Sequence, residues 1–139
     1  MVGKLIRKKN GERGQSMAEF ALIVPIFLVL VFAIVDFGMG FHSWITVSNA
    51  AREGARLGSV GGTQDQIIDR VEQRAGSLDE DKLTVTVTNA EGPSGESVTV
   101  EVDYEYDLIT PLSSLVGFLS GGSLGSSLDV SSTSEMRLE

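Results

Sequence analysis

Glu19 is the residue best placed to do chemistry in this sequence. It stands at the mouth of an uncharged apolar run, with Gly14 five residues upstream and a basic stretch before that. The chemistry open to it is pairing. In an apolar surround an ammonium–carboxylate hydrogen bond is strong, and either charge left alone is costly. A lone carboxylate deep in lipid costs about 2.5–3.5 kcal/mol, and less at the interface. A second acidic constellation alternates along a strand-like stretch at Glu101, Asp103, Glu105 and Asp107, and Asp79-Glu80-Asp81 form a third. Neighbours on one strand face lie about 6.6–7 Å apart, so that row could bridge a calcium ion, although a solvated acidic face is the simpler reading. The head has no histidine ligand, no nucleophile with a base and no phosphate-cradling glycine loop. The expectation is no catalytic residue, no metal centre and no cofactor, hence not an enzyme.

The element that must position Glu19 is the run from Phe20 to Val35, 16 residues without a charge and closed by Asp36. At about 1.5 Å per residue, a helix from Gln15 to Val35 reaches about 31 Å, close to the hydrocarbon thickness of a bilayer. Lys4, Arg7, Lys8, Lys9 and Arg13 precede it against one acid, Glu12. Positive charge on that side keeps the amino terminus in the cytoplasm and sends the rest of the chain across. Two other readings stay open on these residues: the core helix of a soluble fold, and a conventional secretory signal cut after Gly40 in Gly38-Met39-Gly40. Against a secretory signal, the run is long and Glu19 has no task in it.

Gly14-Gln15-Ser16-Met17-Ala18-Glu19-Phe20 resembles the processing site of type IV pilin-like proteins. EFALIVPIFLVLVFAIVDFG followed by NAAREGARLG, with VDYEYDLITPL and SEMRLE near the carboxy terminus, is similar to the TadE-like pseudopilins of tight-adherence (Tad) pili. That resemblance implies a structural subunit cut by a prepilin peptidase between Gly14 and Gln15. Glu19, followed by Phe20, then becomes the fifth mature residue, paired with the new α-amine of a neighbouring subunit. It also implies other pilin subunits, the peptidase and the inner-membrane assembly machinery as partners. The location would be the inner membrane for the precursor and an extracellular adhesion filament after assembly. About 80 residues follow the helix, more than in the shortest filament-forming members of that group.

The rest of the chain reads as an α+β fold, a long N-terminal membrane and filament helix followed by a small exported head. The expected parts are a cleaved leader (1–14), a helix (15–58) and a head (63–139). Cysteine is absent, so no disulfide staples the exported part. The net charge is −8, and removing the five cations and one acid of the first 14 residues leaves −12, which argues against nucleic acid as a partner. Pro25 removes one intrahelical hydrogen bond and crowds the carbonyl of Ala21, so a kink or local melting is expected there. Asp36 reads as an interfacial residue, or as one that pairs between subunits. Ala50, Gly54 and Gly58 make a small-residue stripe that lets the head's sheet or a neighbouring subunit approach closely. Arg52 and Arg56 suit the carboxy end of the helix dipole, and Trp44 suits a membrane-interface anchor.

Gly61-Gly62 should break the helix, and Thr63 should cap a second one running to about Ala75. Strict alternation predicts strands over Lys82–Thr88, Ser97–Asp107 and Leu128–Leu138, forming a half-buried antiparallel sheet. Between the last two, Pro111 can open a short helix in the apolar stretch Ile109–Leu119, and that excursion is expected to pack on the sheet edge or, as the second reading, to touch another subunit.

Overall fold

The computed structural model describes residues 10–122 and 125–139, with side chains from residue 14 onward. A 50-residue helix, α1 (Asn10–Ser59), leads into α2 (Gln64–Arg74). Then come β1 (Leu83–Thr88), β2 (Ser97–Asp107), α3 (Leu112–Ser120) and β3 (Ser127–Arg137). The three strands form one antiparallel sheet with β2 in the centre. This is the expected α+β architecture.

Local chemistry accounts for each element. The α1 helix ends where Gly61 takes a positive φ of 87°, a conformation that suits a residue without Cβ. A capping box starts α2: Thr63 Oγ1 accepts from the Gln66 amide, and the Gln66 side chain accepts from the Thr63 amide. Ile67 and Val71 are its buried residues, one turn apart. In β2 the alternation is read out directly, with Val98, Val100, Val102, Tyr104 and Tyr106 buried against the helices. Glu101 and Glu105 face solvent on the other side, and on the same side Asp107 pairs with Lys82 across the sheet.

The two halves of α1 live in different surroundings. From Asp36 onward one face enters the head's core, where Val47, Ala50, Ala51 and Ala55 meet Ile67, Val71 and the β2 valines. A Cβ placed on Gly58 would sit 3.0 Å from Val98, one on Gly54 3.3 Å from Val100, and one on Gly40 3.7 Å from Tyr106. Descending α1 therefore means advancing along β2. The lengths match: Asp36 to Gly58 rises about 33 Å, and ten strand steps from Ser97 to Asp107 cover about 34 Å. The β1–β2 turn consequently lies at the end of the head remote from the apolar run, and the β2–β3 connection lies at the near end.

Among the described residues α1 already runs through Gly14 from Asn10, and a single glycine costs about 1 kcal/mol without stopping it. Three expectations need adjustment. The helix continues through Pro25 without local melting. The third strand ends at Arg137, one residue early. Finally, α3 forms after Pro111 as expected, but lies against α1 and has only slight contact with the strands. The physical reason is a tether between Asp36 and the residues just before α3, described below.

The closeness at Gly54 gives a direct test. Its hypothetical Cβ falls 2.6 Å from Val71 Cγ2, whereas nothing lies within 4 Å of Gly38. Gly54→Val should destabilise the fold by about 1–3 kcal/mol through overpacking. Gly38→Ala should be neutral or stabilising by up to about 1 kcal/mol. Thermal unfolding of the detergent-solubilised chain checks both.

Candidate membrane and assembly site

The amino-terminal half of α1 is bare. Phe20 is 67% exposed and Leu22 74%, and Ile23, Ile26, Phe27 and Ile34 are also open. Hydrophobic side chains in that number, contiguous on a helix and uncovered by the chain's own fold, call for an apolar environment. Among the described residues, α1 is the one helix long and apolar enough to cross a membrane. Its apolar faces are outside the core, so the soluble core-helix reading does not describe this half.

The sequence-predicted residues fall along this helix as follows. Gly14 lies inside α1, exposed, with nothing within 4 Å of a Cβ position. Gln15, one turn before Glu19, donates from Nε2 to its Oε1 at 3.0 Å. Glu19 is thus exposed and held by a neutral neighbour on its own helix. Phe20 projects outward beside it. Lys4, Arg7, Lys8 and Lys9 lie outside the described residues. Ala50, Gly54 and Gly58 are far from this region, packed inside the chain's own head against α2 and β2. Arg56 forms a two-point pair with Glu53, 2.8 and 3.1 Å long. That hydrogen bond holds the Glu53 carboxyl below its ordinary pKa and raises that of Arg56.

Sequence reasoning missed the role of Asp36. At 2% exposure it is turned into the chain's own head. Its Oδ1 accepts from the backbone amides of Ile109 (3.0 Å) and Thr110 (3.1 Å). Its Oδ2 accepts from the Thr110 hydroxyl. A carboxylate taking three donors is well satisfied in a buried place, and charge-assisted bonds of this kind are stronger than neutral ones. The partners lie 73 and 74 residues away in sequence, which explains why no local pattern revealed them. One signal was present: Asp36, Gly40, Ser43 and Val47 recur every three or four residues, so Asp36 shares the helix face that enters the head.

Tyr106 lies beside this tether, its ring against Gly40. Burial, helped by the nearby Asp36 charge, pushes its phenol above the ordinary tyrosine range. Tyr106 Oη is buried with no hydrogen-bond partner among the described residues. Outward from it, Phe41 and Trp44 meet edge-to-face at 5.5 Å on the exposed flank of α1. With Phe37, Leu112 and Leu128 they border an apolar cavity of about 430 Å³ at the near end of the head.

The family model described as TadE-like protein matches residues 14–56. Over residues 14–56 the chain is similar to that family. The matched stretch runs from Gly14 through Glu19, Pro25 and Asp36 to Arg56, three residues short of the helix end. It stops before α2 and the sheet. No curated protein and no solved structure matches the chain. Within the TadE-like segment, the bare stretch to Val35 supports membrane anchoring, and the stretch from Asp36 is the floor of the head.

Removing the tether should be felt both globally and locally. Asp36→Ala leaves two amides and a hydroxyl without their acceptor and should destabilise the head by about 3 kcal/mol. Asp36→Asn keeps one carbonyl acceptor and should lose less. Hydrogen exchange at the Ile109 and Thr110 amides, followed alongside thermal unfolding, is expected to accelerate strongly in the alanine variant.

Proposed function

We propose that this protein is a type IV pilin-like structural subunit, a pilin or minor pseudopilin of a Tad pilus, and not an enzyme. The observation that carries this is the TadE-like match lying on a helix whose apolar half is left uncovered by the chain's own head. In the precursor, lipid covers that half, with the amino terminus in the cytoplasm and the head outside. A prepilin peptidase then cuts between Gly14 and Gln15. Assembly exchanges lipid for the helices of neighbouring subunits in an extracellular adhesion filament. Glu19 there trades its weak neutral partner, Gln15, for the new α-amine of an adjacent subunit. An exposed carboxylate with one intrahelical bond is free to make that exchange, and in the filament core the ion pair gains strength from a dry surround. The partners are other pilin subunits, the peptidase and the inner-membrane assembly machinery. Nucleic acid has no place among them, given the acidic exterior.

Secretion after cleavage at Gly40 fits less well. The cut would fall inside α1, beside the Tyr106 contact, and would remove Asp36 from the head. An uncleaved membrane anchor keeps the fold intact and is separated from the pilus reading by mass spectrometry of the mature amino terminus. Gln15 is the expected first residue; Met1 would mean an uncleaved anchor and Phe41 a secreted protein. Replacing Gly14 with leucine should leave the precursor uncut in the membrane, and normal maturation of that variant would count against the peptidase. Glu19→Ala should insert and be processed normally yet enter filaments poorly, as measured by its share in sheared surface fibres.

A further inference from the structure

The β2–β3 connection has no counterpart elsewhere in the head. No charged residue occurs between Asp107 and Asp129, in a chain of which 22% is charged. Its helix α3, LSSLVGFLS, has no buried residue; Phe118 is 84% exposed and Leu119 48%. Ile109 and Leu128, at the two ends of the connection, are 62% and 51% exposed. An apolar helix of this kind in water is unfavourable unless something covers it.

Two observations say what covers it. First, the antiparallel run of β2 along α1 puts this connection at the end of the head facing the apolar half of α1. Second, the bonds from Asp36 to Ile109 and Thr110 fix the start of α3 beside the last turn of the uncharged run, and α1 is its main neighbour. Where α1 leaves the hydrocarbon, α3 is already there. From the same level Phe37, Phe41 and Trp44 project as an exposed aromatic group, the residue type that favours a membrane interface.

We infer that α3 is a second membrane contact: it lies in the outer interfacial layer of the bilayer that α1 crosses, with Phe118 and Leu119 in the acyl–headgroup boundary. Attachment at this depth scales with the apolar area buried, which the exposed Phe118 and Leu119 supply. Asp36 sets the depth, because the same carboxylate closes the spanning run and holds the residues that lead into α3. Leaving the bilayer for a filament then requires two detachments, of α1 from the core and of α3 from the surface. The inference rests on α1 spanning the membrane, and the experiment separates the two.

The full chain, in a Trp44→Phe background and at low protein-to-lipid ratio, is placed in vesicles of phosphatidylcholine and phosphatidylglycerol brominated at shallow or deep acyl positions. Single tryptophans report from Phe27→Trp in the apolar run, Phe118→Trp in α3 and Thr86→Trp on the outer sheet face. Position 27 should lose fluorescence to deep bromines, position 118 to shallow ones, and position 86 to neither. Quenching at 27 without quenching at 118 overturns the α3 contact and leaves the spanning helix standing. Quenching at neither removes both. Shielding of 118 that rises with protein-to-lipid ratio, without lipid quenching, assigns the surface to a second copy of the chain and overturns the inference. As a further check, Phe118→Asp with the reporter moved to Leu119→Trp should lose the shallow quenching. The thermal unfolding of the head should be preserved, since both side chains lie outside its core.

Discussion

A single buried carboxylate fixes the near end of the head to the helix that carries it. Asp36 closes the uncharged part of α1 and, in the same position, accepts three hydrogen bonds from the approach to α3. Without it the helix and the sheet would still share their valine and alanine contacts. The near end of the head, however, would have unsatisfied amides facing an apolar flank, a situation that costs more than the mere loss of a bond. The bond set therefore fixes where the head begins relative to the bare helix. Everything nearer the amino terminus is left for another environment to cover.

That division makes sense of the small residues on α1. Glycine at positions 54 and 58 weakens the helix locally, but it brings the backbone against Val71, Ile67 and Val98 at distances no side chain would permit. The stripe is thus used within the chain, and the surface left for neighbours is the large apolar one from Phe20 to Val35. The chain keeps its close-packing residues for its own head and leaves its bulky ones uncovered by its own fold. Glu19 stands at the far end of that bulky surface, exposed and bonded by Gln15.

Much of this was legible in the residues. The alternation from Ser97 to Asp107 defined β2 to the residue, because period-two patterning with β-branched and aromatic side chains has no helical reading. Thr63 announced the start of α2 as its N-cap, while the reciprocal bond from Gln66 came to light only in the fold. The uncharged run announced a helix needing apolar surroundings. What could not be read was long-range: that Asp36 would reach residues more than seventy positions away, and that this reach would carry α3 to α1 and away from the sheet edge.

The tether also separates two borders that are easily confused. The hydrophobic segment stops at Val35, but the folding unit begins one residue later, inside the same unbroken helix. A water-soluble fragment trimmed generously past the greasy part, from Gly40 for example, would discard the acid that closes the base of the head. It would be expected to expose Leu108 and Tyr106 and to clump. Trimming just ahead of Asp36 retains a complete floor, so a single position decides whether the head can be handled apart from the bare helix.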